Sequence, residues 1–205
     1  PSLREEETDA DCDGVQTIDD CDDGDPSMLG PAEDGTCDGL PGMCVGDRTY
    51  ETGLHCTTIT GDLIVSPLPG PLTDLDGFSD LTAIGGKLQI RGMCSLEDVS
   101  GFANLETIGD RLEIDYGCLT DISGFDSLRS IGESLFINYN GYLTSISGFR
   151  SLENVGMTVY IHGNSRLCEA TAYAFAERVG KGLTPCSDFS CRGDSYIFDN
   201  TGSCD

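Results

Sequence analysis

The chain has 205 residues and carries 36 acidic against 11 basic side chains, which gives a formal net charge of −25. This balance argues against nucleic acid as a partner, because binding to phosphates requires a basic surface. It also disfavours anionic membranes, and no apolar run approaches the roughly 18 residues that a membrane-spanning helix needs. We therefore expect neither nucleic-acid binding nor direct membrane insertion.

Eleven cysteines in a chain of this length indicate an oxidising compartment. A cytosolic zinc protein is poorly supported, because the only histidines are His55 and His162 and there is no pair of Cys-x-x-Cys clusters. The composition predicts a protein that is secreted or lies on an extracellular cell surface. The odd cysteine count leaves at least one thiol free or bonded to another chain.

The first predicted unit is an acidic, Asp/Cys-rich arm over residues 1–47. It holds 15 of the 36 acidic residues and a single base, Arg4. Large apolar residues are too few there to bury a core. The arm is therefore expected either to be a solvated acidic tail or to fold around cations.

Within the arm, the aspartate spacing matches the opening of a calcium-binding loop, D-x-D-x-D-G. Alternate positions direct oxygens at one point, Gly14 permits the sharp turn, and Asp20 would close the shell. Residues 20–27 supply ligands for a second ion, and hard oxygen ligands favour Ca²⁺. The predicted metal ligands are Asp9, Asp11, Asp13, Val15 (through its carbonyl), Asp20, Asp22, Asp23 and Asp25.

The stretch DCDGVQTIDDCDDGDPS at 11–27, with PAEDGTCDG at 31–39, resembles a known type of repeat. It looks like the MopE-like Asp/Cys metal-binding repeats of bacterial surface proteins and is similar to thrombospondin type 3 calcium repeats. The pattern departs from the repeat after Gly39. The resemblance implies a calcium-binding arm.

A repeat follows from residue 61 to 168, and we assign residues 48–168 to a solenoid of about five rungs. A period of 23 or 24 residues is typical of a solenoid in which each turn buries its apolar positions against the next. Equivalent positions are Leu88, Leu112, Leu135 and Val159; Ile90, Ile114, Ile137 and Ile161; Leu72, Leu96, Leu119, Leu143 and Leu167; Phe78, Phe102, Phe125 and Phe149; and Ile84, Ile108, Ile131 and Val155.

Each turn begins with an alternating stretch, such as Leu88-Gln89-Ile90, that predicts a short strand with two residues facing in and one facing out. The strands are expected to stack into a parallel sheet. Its outer face would present Gln89, Glu113, Phe136 and Tyr160. The Gly-Phe pairs, such as Gly124-Phe125, predict a glycine at a bend and a ring in the core.

The segment HCTTITGDLIV at 55–65 resembles the opening of the L domains of the insulin and epidermal growth factor receptors. The later rungs are similar to leucine-rich-repeat-related L-domain-like proteins of bacteria and protists. The resemblance covers about residues 55–180 and implies a right-handed parallel β-solenoid with a capping helix. It also implies that Cys56 pairs upstream, with Cys37 or Cys44. It carries no particular ligand across.

Residues 169–205 are predicted to form a capping helix and a Cys-rich C-terminal segment. The sequence CEATAYAFAERVG has an acid in its first turn, Arg178 in its last and Gly180 after it, all typical of a helix. The face that would cover the last rung consists of Ala172, Phe175, Ala176 and Val179.

Three disulfides are predicted outside the arm. Cys94 and Cys118 lie on neighbouring rungs and could link them. A Cys168–Cys186 bond would staple the helix, and a Cys191–Cys204 bond would close the terminal loop. The cysteines left over, including the unpaired one, would then lie in the N-terminal part of the chain.

No catalytic or cofactor-binding residues are predicted, and the chain is expected not to be an enzyme. The acid pair Glu113 and Asp115 is better explained as surface on so acidic a protein, and the RGD sequence at 192–194 is short enough to arise by chance. Two functions remain. One is a calcium-stabilised subunit of a surface filament or coat, which the odd cysteine and the arm favour. The other is an adhesion module whose sheet face binds a protein or glycan.

Overall fold

The computed structural model describes residues 43, 44, 46, 48, 49, 56–66, 72–96, 98–180, 185, 186 and 195–204. The predicted metal ligands, the cysteines at positions 12, 21, 37 and 191, His55 and the RGD sequence all lie outside the described residues. The described residues comprise the repeat, the helix and the last strand.

Two parallel sheets form the body of the described chain. The six-stranded sheet consists of β1 (Met43–Cys44), β3 (Thr58–Ile59), β5 (Ala83–Ile84), β7 (Thr107–Ile108), β9 (Ser130–Ile131) and β11 (Asn154–Val155). The eight-stranded sheet, in spatial order, consists of β13 (Pro185–Cys186), β14 (Ser195–Phe198), β12 (Val159–His162), β10 (Leu135–Asn138), β8 (Leu112–Asp115), β6 (Leu88–Arg91), β4 (Leu63–Val65) and β2 (Arg48–Thr49).

The strand register confirms the predicted parallel β-solenoid. Leu63, Leu88, Leu112, Leu135 and Val159 are successive register partners, so four turns separate β4 from β12. Each of these five residues is fully buried, whereas the residue that follows it in its strand faces outwards and is only partly buried. The period of the sequence therefore equals the length of one turn, as stacking of identical apolar positions requires.

The centre of each turn is filled by a column of phenylalanine rings. Phe78, Phe102, Phe125 and Phe149 are all fully buried, and neighbouring ring centroids are separated by 5.3, 5.6 and 5.3 Å. The column ends on Phe175 of the helix, 5.6 Å from Phe149. The prediction that the Gly-Phe pairs place a ring in the core is confirmed.

Gly124, next to Phe125, shows why these pairs require glycine. A Cβ atom at this position would lie 1.8 Å from the carbonyl oxygen of Val99 in the preceding turn. We expect Gly124→Ala to lower the free energy of unfolding by about 2 kcal/mol, because the two turns would have to move apart. Urea denaturation measures this change.

Gly141→Ala provides the matched control for this prediction. A Cβ at Gly141 would meet only the Ser165 hydroxyl, at an ordinary contact distance of 3.8 Å. We expect a change below about 0.5 kcal/mol for this variant. Equal losses in both alanine variants would contradict the close approach at Gly124.

The predicted helix is present as α1 (Glu169–Val179), and its buried residues are the four predicted ones, Ala172, Phe175, Ala176 and Val179. The guanidinium of Arg178 donates hydrogen bonds to the carbonyls of Leu152 (2.9 Å) and Phe149 (2.7 Å), so the helix is fixed to the last turn of the repeat. The chain then returns to the sheet, because β14 pairs in parallel with β12. This final strand was not predicted.

The return of the chain explains why two disulfide predictions are wrong. Cys168 is bonded to Cys204 with a Cα–Cα distance of 4.9 Å, so neither Cys168–Cys186 nor Cys191–Cys204 forms. A bridge between Cys168 and Thr201, and a hydrogen bond from Gly202 N to Leu167 O (3.0 Å), place the C-terminal segment against the start of the helix.

The other two described disulfides stabilise the N-terminal half of the solenoid. Cys94 is bonded to Cys118, the neighbouring-rung pair predicted from the repeat. Cys56 is bonded to Cys44, one of the two partners that the L-domain resemblance implied. Together with Cys168–Cys204, these bonds support the predicted oxidising environment.

A ladder of buried asparagines links the last turns and was also not predicted. Asn140, Asn164 and Asn200 donate from their side-chain amides to the carbonyls of Ile114, Ile137 and Ile161, at 2.8 Å in each case. Asn164 also accepts from the backbone of Asn140 (3.0 Å) and donates to Asn200 Oδ1 (2.9 Å). The ladder pairs backbone groups where the chain leaves the sheet.

Candidate functional site on the outer sheet face

The outer face of the eight-stranded sheet carries a row of side chains at matched register. The row runs through Gln89, Glu113, Phe136, Tyr160 and Tyr196, all partly buried. Four of these five were predicted to face outwards. Its first part is polar: Gln89 donates from its amide to Glu113, whose Oε1 also lies 2.6 Å from Arg111 Nε.

The second part of this row is aromatic. The ring centroids of Phe136 and Tyr160 are 5.1 Å apart, those of Tyr160 and Tyr196 are 4.5 Å apart, and both pairs are nearly parallel. Burial by these neighbours raises the pKa of Tyr160 above its ordinary value. Because each ring covers a face of the next, it is mainly ring edges that this row leaves on the outer surface.

A second row of stacked groups lies where the strands end. The Arg91 guanidinium carbon is 5.2 Å from the centroid of the Tyr116 ring, and Tyr116 and Tyr139 stack at 4.9 Å. His162 meets Tyr139 edge-on at 4.5 Å and stacks on Phe198 at 4.7 Å. The contacts are continuous across five neighbouring strands of the sheet, from β6 to β14.

The two tyrosines of this row occupy a backbone conformation that bulky residues rarely adopt. Tyr116 has φ 55° and Tyr139 has φ 57°, whereas the equivalent positions in the neighbouring turns are Gly92 (φ 69°) and Gly163 (φ 68°). A left-handed tyrosine costs roughly 1 kcal/mol relative to glycine. Gly163 also makes room, since a Cβ there would lie 2.8 Å from the Tyr139 ring.

We call the rings of these two rows together the aromatic face; its members are Tyr116, Phe136, Tyr139, Tyr160, His162, Tyr196 and Phe198. Tyr116 and Tyr139 remain about half exposed, at 49 % and 48 %. The rings are held by a sheet whose strands are hydrogen-bonded on both sides, so the surface is ordered before any partner binds. Such a surface can bind a macromolecule through aromatic contacts and tyrosine hydroxyls.

Asp115 and Asn138 are register partners in β8 and β10, directly before Tyr116 and Tyr139. Among the described residues, neither the Oδ1 atom of Asp115 nor that of Asn138 has a hydrogen-bond partner, and both atoms are buried. Burial, and then the charge of Glu113, raise the pKa of Asp115 to about 6, against the smaller opposing effects of Asn138 and Arg91. Asp115 is thus partly satisfied by hydrogen bonds with the side chain and backbone of Asn138, whereas its Oδ1 atom has no donor among the described residues.

The raised pKa of Asp115 predicts how the stability of the protein depends on pH. The folded protein binds a proton at Asp115 more tightly than the unfolded chain does, so this group stabilises the fold at low pH, and that contribution is lost as pH rises from about 4 to about 6. We expect Asp115→Asn to raise the free energy of unfolding at pH 7 by about 1 kcal/mol, a value reduced for solvent screening. Denaturant titrations at pH 4.5 and pH 7 measure the difference from the wild type.

The control is Asp126→Asn, which removes a carboxylate that is 47 % exposed and lies 3.4 Å from Arg150 Nε. We expect this variant to differ from the wild type by less than about 0.5 kcal/mol at both pH values. An Asp115→Asn variant that is less stable than the wild type at pH 7 would contradict the prediction.

His162, noted in the sequence as one of two histidines, is the last residue of β12 and is only 9 % exposed. Burial lowers its pKa, against the raising effect of Asp199. The His162 ring lies in the second row, between Tyr139 and Phe198. Its described contacts are those of an aromatic group in a stack.

In the part of the chain that the structure describes, no group of three or more His, Cys, Asp or Glu side chains is arranged to hold a metal ion. Over the same residues, no helix has the length and hydropathy required to cross a bilayer.

Comparison with known proteins matches residues 55–118 to the Receptor L domain family. The matched segment includes the strands from β3 to β8 and the Cys94–Cys118 bond, so it contains the polar half of the outer face. No curated protein matches the chain. The match confirms the predicted L-domain-like character of this part and points to an extracellular, receptor-like or binding module.

Proposed function

We propose that this protein is an extracellular recognition module that binds a protein or glycan through the aromatic face. The observation that carries the proposal is the pair of stacked rows of rings, at 4.5 to 5.1 Å, on the outer side of a rigid sheet. The Receptor L domain match over residues 55–118 and the three described disulfides support an extracellular setting. The proposal assigns no catalytic role.

Binding energy at protein interfaces is concentrated in a small number of residues. Tyrosine, tryptophan and arginine supply most of the affinity at protein interfaces, because they bury a large area with few rotatable bonds. Here Tyr116 and Tyr139 are held in a left-handed conformation that costs stability and leaves both rings half exposed. Stability lost in this way on an exposed surface is typical of a functional site.

An array of extracellular proteins and glycans tests the proposal. The labelled wild-type protein is expected to bind at least one class of molecule on the array. A Tyr116→Asn/Tyr139→Asn variant should lose that signal, and asparagine is chosen because it tolerates the left-handed conformation. Silence of the wild type on every spot, or undiminished binding by the variant, would contradict the proposal.

A surface filament or coat is the second candidate, and the odd number of cysteines favours it. The described disulfides use six of eleven cysteines, so an odd number is left for the remainder of the chain and at least one thiol is available for a bond to another chain. Electron microscopy of the native material decides between the two candidates. Dispersed single particles would exclude the filament.

We also propose that residues 1–47 bind Ca²⁺ and that the bound ions stabilise the protein. The proposal rests on the D-x-D-x-D-G spacing from Asp9 to Gly14 and on the resemblance of the segment to Asp/Cys metal-binding repeats. Calcium at one hundred times its dissociation constant would stabilise the folded protein by about 2.7 kcal/mol. A chelator should therefore lower the melting temperature by about 5 °C or more.

An Asp11→Asn/Asp13→Asn variant, which removes two ligands of the first predicted loop, should respond to calcium and to the chelator less than the wild type does, because residues 20–27 still supply ligands for a second ion. Glu6→Gln, at an acid outside the predicted ligand set, should respond as the wild type does. Native mass spectrometry reports the number of ions bound. A chelator-insensitive melting curve together with no bound calcium would remove this proposal.

A further inference from the structure

Two side-chain oxygens next to Tyr116 and Tyr139 have no hydrogen-bond partner among the described residues. The Oδ1 atoms of Asp115 and Asn138 are both buried and, among the described residues, both lack a hydrogen-bond donor. A buried acceptor without a donor costs roughly 1–3 kcal/mol, so a pair of them at adjacent register positions is unusual. Both atoms can be satisfied by one group that carries at least two N–H donors.

The placement of the pair on two strands bears on the kind of donor. Asp115 and Asn138 occupy matched positions of neighbouring strands, whose backbones lie about 4.8 Å apart. An ammonium nitrogen that makes two hydrogen bonds of about 2.8 Å at a tetrahedral angle requires its two acceptors to be about 4.6 Å apart. A guanidinium fork instead fits the two closely spaced oxygens of one carboxylate. A primary ammonium, whose three N–H donors point in different directions, therefore suits two acceptors on separate strands.

Charge favours the same group. The whole chain has a net charge of −25. Near the pair, Glu113 contributes a second negative charge to the environment of Asp115. Arg91 acts in the opposite direction, but its guanidinium lies over the Tyr116 ring and makes no hydrogen bond to the Asp115 Oδ1 atom. On the side of Asn138 away from Asp115, the register partner of Asn138 is His162.

We propose that Asp115 and Asn138 form an acceptor pair for a primary ammonium group, a lysine side chain or a free N-terminus, presented by the protein bound at the aromatic face. The inference rests on the proposed recognition function and names the chemistry of one contact within it. Tyr116 and Tyr139 follow the two acceptors directly and are half exposed.

The test is a titration followed by NMR with N-acetyl-lysine-methylamide as the probe and its neutral isostere N-acetyl-norleucine-methylamide as the control. The lysine probe is expected to shift the Asn138 side-chain amide and the Tyr116 and Tyr139 signals, with binding in the millimolar range. The norleucine probe should leave these signals in place. Lowering the pH below 6 should weaken lysine binding, because Asp115 becomes protonated there.

Two variants locate the effect. Asp115→Asn should weaken binding of the lysine probe about fivefold or more, whereas Asp126→Asn, at the exposed ion pair with Arg150, should leave it unchanged. Equal binding by both variants, or shifts spread over all acidic residues, would overturn the inference and show only non-specific attraction to an acidic protein. If Tyr139→Asn abolishes binding of a partner from the array and Asp115→Asn does not, the acceptor pair is refuted while the recognition function stands.

Discussion

Replacement of Phe125 by alanine is expected to lower the free energy of unfolding by about 4 kcal/mol. Phe125 is fully buried between Phe102 and Phe149, at ring distances of 5.6 and 5.3 Å, in the central column of the solenoid. Removal of the ring leaves a cavity in the middle of the column, and the turns on either side cannot close it because their own glycines already contact the neighbouring backbone. Chemical denaturation followed by circular dichroism measures the loss.

Phe136→Ala is the matched control, because it removes the same ring from the outer side of the sheet. Phe136 is partly exposed and, among the described residues, the ring it stacks on is that of Tyr160, at 5.1 Å. We expect this variant to lose about 1 kcal/mol. An equal loss in the two variants would contradict the assignment of the core to the inside of the solenoid.

Asn164→Ala is expected to cost about 3 kcal/mol, because it leaves several buried groups without partners. The Asn164 side chain accepts from the backbone of Asn140 (3.0 Å) and donates to the carbonyl of Ile137 (2.8 Å) and to Asn200 Oδ1 (2.9 Å). Asn164 is fully buried, so water cannot replace these hydrogen bonds without rearrangement. Thermal unfolding at neutral pH should show the lower midpoint.

Asn104→Ala serves as the control for the asparagine ladder. The Asn104 amide also donates to a backbone carbonyl of the preceding turn, that of Ser79 at 2.8 Å, but on the exposed side of the solenoid. Solvent can satisfy this carbonyl after the substitution, so we expect a loss below about 1 kcal/mol. A small effect at Asn164 would mean that the ladder does not stabilise the last turns.

The repeat could be predicted from the sequence because the same apolar positions recur in each turn. The columns that contain Leu88, Phe102 and Ile108 are buried as the 23- and 24-residue spacing predicts. The helix could be predicted as well, since Arg178 and Gly180 mark its end and its four small or aromatic residues lie on one face. Both the repeat and the helix depend on patterns within short stretches of the sequence.

The C-terminal segment could not be predicted because its position depends on a contact that occurs only once. The strand Ser195–Phe198 extends the sheet beyond β12, and that pairing places Cys204 beside Cys168. Cysteine spacing alone favoured shorter loops. The alternation in Ser195-Tyr196-Ile197-Phe198, which matches that of the earlier strands, was the available signal.

The candidate site was predicted only in part. The outward row from Gln89 to Tyr160 follows from the alternation within each strand, but the second row does not. Tyr116 and Tyr139 lie one residue beyond the strands, and only a left-handed backbone brings their rings into line with His162 and Phe198. The repeated sequences Asp115-Tyr116 and Asn138-Tyr139, each directly after an inward isoleucine, were the signal that marked this feature.

The most direct test of recognition through the aromatic face is the affinity of a partner found on the array for two tyrosine variants. Tyr139→Asn removes a ring from the face, whereas Tyr142→Asn removes an equally exposed ring (50 %) that lies outside it and contacts Arg166 at 5.0 Å. We expect Tyr139→Asn to weaken binding about tenfold or more and Tyr142→Asn to leave the dissociation constant within about twofold of the wild-type value. Equal affinities for the two variants would contradict the account.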